Sequence, residues 1–433
     1  MSTQQSAGSA ASEPRRGLRV VDAIGGLRLP TLLTVAAVLR LCWLWFCPNQ
    51  PTSDQGIYHQ AAAALAEGRG FVDELGQPHG WWPVGYPAAL APAYAWLGAS
   101  PRVGHAVNLG FGLWLVAAVY RLAQRLHGAR VAAWAGLGVA VSPTLVLMTT
   151  LHASENLFAP LSVTAVGWLV RTVPAGRAWL WHAAVVGVWL GLAAYVRAPA
   201  LLLLALVPLW YWMPGRSLVR AGAAAAVAAA VALAVLLPWG LRTQSHFGTF
   251  QVVSMNGSSN FWMGNHPGSE GGYCELPSDV AGLSVPERER VLGQRAREFV
   301  QQHPLAYLQL CVRRVGLTLR SDTAAVVWNE PGLSARGALA LVPPLKGLTS
   351  AVHWALLLLV LAGGWRARSV LGRADVLVVA SLLLLAVPFV FVVGGNRYHL
   401  PLAPFLWLQV ATWWRVRGAA MPQAAAAGPG SEP

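Results

Sequence analysis

Three stretches carry side chains suited to acid–base or anion chemistry, in a chain that is otherwise apolar. Ser53-Asp54-Gln55-Gly56-Ile57-Tyr58-His59 sets an acid, an amide, a phenol and an imidazole just after the apolar run Leu29–Cys47. Leu151-His152-Ala153-Ser154-Glu155 brings a second acid and another imidazole to the mouth of a later run. Arg197, Lys346, Arg397 and Tyr398 stand at the ends of further runs. A carboxylate so placed can take a proton from a hydroxyl, and guanidinium or ammonium groups can hold a phosphate. Glu155 also has a plain structural reading, because Ser154-Glu155 is an ordinary helix start whose dipole favours an acid. No helix start obviously calls for Asp54. His59 and His152 could join the two acids around a divalent metal, but their spacing matches no standard ligand pattern, and no metal ligand is assigned.

The elements that must position these groups are membrane helices. The 433 residues are 55% hydrophobic and only 11% charged, and apolar runs of spanning length recur throughout. That composition excludes an ordinary soluble domain and indicates a polytopic, all-α membrane protein. The net charge of +14 does not point to nucleic acid, since the basic residues fall in small clusters between apolar runs. Taking those clusters as cytoplasmic gives about ten spans with both termini inside. They are Leu29–Cys47, Val103–Leu122, Val131–Thr149, Asn156–Val170, Ala178–Val196, Pro199–Met213, Ala221–Leu241, Leu348–Gly364, Asp375–Val393 and Tyr398–Trp414. Arg15, Arg16, Arg19 and Arg28 precede the first; Arg216 and Arg220, then Arg366, Arg368 and Arg373, and finally Arg415 and Arg417 mark later cytoplasmic turns. No cleavable signal is read at the N-terminus. Residues 1–28 are expected to be a partly disordered cytoplasmic tail, 29–417 the transmembrane domain, and 418–433 a disordered tail.

Two outer loops follow from this topology, 48–102 and 242–345. The apolar piece up to Leu97 carries Pro83, Pro87 and Pro92 and is denied a crossing. It is expected to lie at the interface, with Trp81 and Trp82 at headgroup depth. That choice returns Arg121, Arg125 and Arg130 to the cytoplasm. In the large loop, Ser284-Val285-Pro286-Glu287 reads as a capping box with Pro in the first helical turn. A second helix starts at His303-Pro304, with Leu305, Leu308, Val312, Val315 and Leu319 at helical spacing. Arg313, Arg314 and Arg320 fall elsewhere on its wheel, so it should lie along the membrane surface. Cys274 and Cys311 share the loop; a disulfide and two free thiols are both compatible with the sequence.

Arg197, Arg242, Arg397 and Lys346 then stand on the outer side, against the charge rule. Each could merely snorkel or pair with an acid, but together they read as a basic ring suited to a lipid phosphate. Arg242, at the start of a long polar loop, has the weakest claim.

The order of these motifs resembles the GT-C superfamily of polyprenyl-phosphate-sugar-dependent glycosyltransferases. It is most similar to the bacterial branch related to protein O-mannosyltransferases and to the lipid A aminoarabinose transferase. The resemblance rests on Asp54-Gln-Gly-Ile-Tyr58, Gly68-Arg-Gly70, Pro83-Val-Gly-Tyr-Pro87, Leu97-Gly98, Ser154-Glu155-Asn-Leu-Phe158, Trp262-Met-Gly-Asn265-His-Pro267, and Arg397-Tyr398 with Pro401 and Pro404. It covers most of residues 29–415. Many relatives have Asp-Glu where this chain has Asp54-Gln55, and no large appended domain is read after the last span.

The resemblance implies a multi-pass protein of a bacterial plasma membrane, with an extracytoplasmic site. There a sugar would move from a polyprenyl-phosphate donor to a hydroxyl of a protein, lipid or glycan. Asp54 would be the base and Glu155 would orient a substrate. Arg197, Arg397, Tyr398 and Lys346 would hold the phosphate, while Gln55, Tyr58, His59, His152 and Asn265 would support the site. A lipid-linked sugar flippase and a polysaccharide polymerase or ligase remain the alternatives. The absence of a visible internal repeat, and charges gathered at one face, speak against a transporter.

Overall fold

The computed structural model describes residues 23–213, 215, 217–367 and 372–419, without the side chains of 366, 367, 374 and 414–419. The two expected tails lie largely outside the described residues, as do Arg15, Arg16, Arg19, Arg216 and Arg368 and the side chains of Arg366, Arg415 and Arg417. The helices, in chain order, are α1 (Leu29–Phe46), α2 (Asp54–Ala66), α3 (Gly85–Leu97), α4 (Pro101–His127), α5 (Ala129–Val141) and α6 (Pro143–Leu147). Then come α7 (Glu155–Leu169), α8 (Ala178–Val196), α9 (Leu206–Trp212), α10 (Leu218–Phe247), α11 (Gly257–Gly264) and α12 (Val285–Gln302). The last are α13 (Pro304–Leu319), α14 (Ala324–Val327), α15 (Glu330–Ala335), α16 (Val342–Ala367), α17 (Arg373–Phe391) and α18 (Ala403–Ala419). A single bridge, Val72 to Pro78, is the β-structure among the described residues.

Among the described residues, five helices are long and apolar enough to cross a membrane: Leu29–Phe46, Pro101–His127, Ala178–Val196, Leu218–Phe247 and Leu339–Trp365. A sixth is the pair 129–141 and 143–150, bent by 54°. Thus the chain is a multi-pass, all-helical membrane protein, with five candidate spans among the described residues, or six if the bent pair is one, where about ten were expected. Ala198–Trp212 and Asp375–Phe391 are apolar and short, and α7 has 15 residues.

The bend has an identifiable cause. Pro143 has no N–H for the carbonyl of Val139. The buried guanidinium of Arg40, in the middle of α1, donates to Ala140 O at 3.0 Å and to Val139 O at 3.5 Å. An arginine inside the first span therefore satisfies backbone that a proline left open. Consecutive helices α4, α5, α7, α8 and α10 pack on one another, and the core is rich in alanine on their contact faces.

The segment 48–102, expected as an outer loop, folds as a helical hairpin, α2 on α3. Tyr86, Leu90 and Tyr94 of α3 are buried while Trp96 is exposed, so α3 turns one face to the protein and leaves the other open. Trp81 and Trp82, expected at headgroup depth, also make protein contacts. The Trp81 indole donates to Glu289 of α12 at 2.9 Å, and Trp82 packs edge-on against Tyr58, so both join protein to protein. Gly85 explains the Pro-Val-Gly-Tyr-Pro motif: a Cβ there would lie 2.6 Å from the carbonyl carbon of Tyr195. Gly85→Ala is therefore expected to lower the thermal midpoint of the solubilised protein, at a cost of about 1–3 kcal/mol. An unchanged midpoint would contradict the close approach.

Arg242 has no part in a basic ring. It lies inside α10, which runs past the expected end at Leu241, and donates to Phe71 O at 2.7 Å and His79 O at 2.8 Å. It buttons the first outer loop onto α10. Burial there, outweighing Asp73, pulls the His79 imidazole down to about 4. Folding must then expel the proton that the unfolded chain keeps near its ordinary value of 6.5. The stability tied to neutral His79 is fully present above pH 6.5 and is lost as pH falls from there towards about 4. A thermal midpoint that drops over this window, with a shallower slope in His79→Gln, is the expected result; equal slopes would contradict it.

In the large loop both helix starts fall where expected. The Ser284 backbone N–H and hydroxyl both reach the Glu287 carboxylate, completing the capping box of α12, and α13 starts at Pro304. Leu305, Leu308 and Val312 are exposed on α13, consistent with a membrane-surface face. Arg314 departs from the expectation: it is fully buried and points into the protein. Cys274 and Cys311 are free thiols.

Candidate active site

Asp54 opens a helix after all. It is the first residue of α2, as Glu155 is of α7. Neither carboxylate is consumed in capping; each reaches across the fold to an arginine. Asp54 Oδ2 accepts from Arg397 Nη1 at 2.7 Å, and Glu155 Oε1 pairs with Arg197 Nη1 at 2.6 Å. The residue before Asp54, Ser53, has φ 52°, the one positive value outside glycine among the described residues. Such backbone costs free energy and is kept where the surroundings over-determine a side chain's direction. Here it turns the chain so that Asp54 faces Arg397, between α17 and α18.

The two pairs are neighbours. Arg397 acts electrostatically on Glu155 as well as Asp54, and Tyr58 lies in the field of Arg197, Glu155 and Asp54. Ser154 links them further: its hydroxyl accepts from Arg197 Nη1 at 3.1 Å and meets the Tyr58 phenol. Burial pushes the Tyr58 phenol up to about 12, so it stays a neutral donor. Arg397 stacks between two aromatic faces, 5.4 Å from Trp328 and 5.3 Å from Tyr398. These rings fix the guanidinium plane without using its N–H donors. Asp54 and Arg397 keep 30% and 28% of their side-chain surface open, whereas Glu155 is nearly closed at 6%. The open pair can meet a substrate directly; the closed one holds the frame. Behind Glu155 a cavity of about 20 Å³ reaches Arg40.

The supporting residues divide. Gln55 is a brace, its side-chain oxygen accepting from the backbone N–H of His152 at 3.2 Å. This ties the two acid-bearing stretches together. The Tyr94 hydroxyl lies 2.7 Å from His59 Nδ1 and 3.0 Å from His152 Nε2. Burial lowers the pKa of both imidazoles, and of His152 far below the usual range, so both are neutral at pH 7. They form a polar wall rather than an anion site. Among the described residues the acids and these histidines do not form a metal-capable group. Lys346 pairs with Glu330 at 2.9 Å, in neither of the two arginine pairs. Asn265 is fully buried, donates to Phe261 O and Val392 O, and accepts from Arg314, so it is a structural tie between α11, α13 and the end of α17. Sequence reasoning missed Ser154 as a link, Tyr94 as a bridge and Trp328 as a platform. None carries a signal beyond its residue type.

Residues 90–241 match the family of dolichyl-phosphate-mannose-protein mannosyltransferases. No curated protein matches the sequence. The fold is similar to the oligosaccharyltransferase of Archaeoglobus fulgidus crystallised with Zn and sulfate, at 13% identity and TM-score 0.54, covering 89% of this chain and 49% of that one. The Archaeoglobus fulgidus enzyme in complex with an inhibitory peptide and a dolichol-phosphate gives 14% identity and TM-score 0.50, covering 90% and 50%. ArnT from Cupriavidus metallidurans bound to undecaprenyl phosphate aligns at 14% identity and TM-score 0.48, covering 89% and 59%. The chain spans about half the length of the oligosaccharyltransferase structures it matches. It carries the GT-C glycosyltransferase fold along most of its described length, with a central segment that matches the protein mannosyltransferase family.

Proposed function

We propose that the protein is a membrane glycosyltransferase that moves a sugar from a polyprenyl-phosphate donor to an acceptor hydroxyl of a protein, lipid or glycan. The reaction takes place at the outer face of a bacterial plasma membrane, with both termini in the cytoplasm. The observation that carries this reading is the open ion pair of Asp54 and Arg397, a base and a phosphate ligand in contact. A lipid phosphate competes with Asp54 for the Arg397 guanidinium. When it wins, phosphate is held and the carboxylate is released to face the acceptor. Asp54 then takes the hydroxyl proton as the acceptor oxygen attacks the anomeric carbon. The bond from that carbon to the phosphate oxygen breaks in the same step, and configuration inverts. The polyprenyl phosphate leaves as a stable anion, so no acid is needed at the leaving group, unlike glycoside hydrolysis. Arg397 stabilises the charge that builds on it. Glu155 and Arg197 fix the neighbouring wall, and Tyr58, His59 and His152 line it. The occurrence of dolichol-phosphate in a structure of this fold supports a polyprenyl-phosphate ligand.

Arg397→Gln tests the reading. Loss of a charge-assisted contact worth about 1.5–3 kcal/mol should raise the donor KM about 10- to 100-fold. Sugar-free polyprenyl phosphate should lose potency as a competitor by a similar factor. A donor dependence equal to that of the unaltered protein would count against phosphate binding at Arg397.

A further inference from the structure

A second polar cluster lies a few residues from the Asp54–Arg397 pair and takes no part in the chemistry above. Asp322 follows α13, His353 is in α16 and His399 is two residues after Arg397. All three are buried, and one ligand atom from each falls within 4.8 Å of the others. Their hydrogen bonds fix which atoms face one another. His399 Nδ1 lies 3.0 Å from Thr318 O, which can only accept, so that nitrogen carries the proton. His399 Nε2 is left with a lone pair, and it faces Asp322 Oδ1 at 3.2 Å. His353 Nε2 likewise donates to Leu319 O at 2.9 Å, leaving its Nδ1 as an acceptor. The other Asp322 oxygen, Oδ2, accepts from the Thr144 hydroxyl.

Two acceptors, Asp322 Oδ1 and His399 Nε2, therefore face each other in a buried space beside the His353 ring, and neither has a hydrogen-bond partner. Two facing acceptors repel unless a cation or an added proton lies between them. A cation fits this geometry. A tetrahedral site with bonds of about 2.0–2.1 Å sets neighbouring ligand atoms about 3.3–3.4 Å apart, close to the distance seen between Asp322 and His399. His399 donates its remote N–H to a backbone carbonyl and the carboxylate is hydrogen-bonded in turn, the arrangement that orients metal ligands.

We propose that Asp322, His353 and His399 bind a divalent transition metal ion, zinc by ligand type, with water in the fourth position. His353 supplies the third ligand, one of its ring nitrogens lying within 4.8 Å of the other two ligand atoms. The ion would clamp the 320–323 turn, α16 and the segment just before α18, and so hold the residues that present Arg397. The site is independent of the glycosyl-transfer reading, because its test reads bound metal and not turnover.

The test is metal analysis of the full chain purified in detergent without chelator. About one zinc ion per chain is expected. Removal with chelator should lower the thermal midpoint, and added Zn²⁺ should restore it. Cobalt substitution should give the visible bands of a four-coordinate site. Asp322→Asn and His353→Gln should both lose the metal, and monodispersity on gel filtration shows whether each has folded. His246→Gln, at an exposed imidazole, should keep it. Metal-free protein whose midpoint ignores added Zn²⁺ would overturn the proposal in favour of a protonated His399 paired with Asp322. Full metal occupancy in folded Asp322→Asn, or loss in His246→Gln, would overturn it as well.

Discussion

Asp54→Asn is expected to cut sugar transfer by about 10²–10⁴-fold, the usual contribution of a positioned general base, while the protein stays folded. The amide is the same size as the carboxylate and keeps an oxygen that can accept from Arg397, so the contact survives without the charge. Its structural cost is small because the pair is partly open to solvent. What disappears is the group able to take the acceptor proton. Turnover, thermal midpoint and binding of sugar-free polyprenyl phosphate should be measured on one preparation. Binding should persist or tighten, since Arg397 no longer has a rival anion. Near-normal turnover would remove Asp54 from the mechanism. Lost turnover together with lost folding would make the residue structural.

The largest stability effect is expected at the closed pair. Arg197→Met leaves the Glu155 carboxylate, 6% exposed, without its counter-charge. Removing one partner of a buried ion pair costs about 3–5 kcal/mol, a large share of what holds a fold together. Adding Glu155→Gln should recover much of this loss, because the double variant buries no lone charge. Lys346→Met is the contrast. Its pair with Glu330 is about one-third exposed, and the change should stay within about 1 kcal/mol. A thermal midpoint for Arg197→Met equal to that of Lys346→Met would show that Glu155 does not depend on Arg197.

Much of the site was legible because charge is expensive in a membrane. In a chain so poor in ionisable groups, Asp54, Glu155, Arg197, Arg397, Arg242 and Lys346 stood out by position, and the structure brings the first four together. Denying the Pro-rich 83–97 segment a crossing kept them on one side, and that segment is a short helix packed on α2. The roles of single polar residues were less legible. Asn265 sits in a familiar motif, but its partner Arg314 is 49 positions away and nothing local announces the pairing. Arg242 looked like a surface cation, yet it serves carbonyls of a loop more than 160 positions earlier. Arg40 was hidden in an apolar run, and only the Pro143 break explains it. The Asp322, His353 and His399 cluster is assembled from three separate segments, so no spacing pattern could reveal it.

The most direct test of glycosyl transfer uses purified protein in detergent, where no bilayer remains to flip a lipid across. A polyprenyl-phosphate sugar labelled in the sugar is incubated with an acceptor extract. Label should leave the lipid with an equal amount of polyprenyl phosphate and appear on acceptor with inverted anomeric configuration. A donor that stays intact, or a product with retained configuration, would contradict a one-step transfer at Asp54.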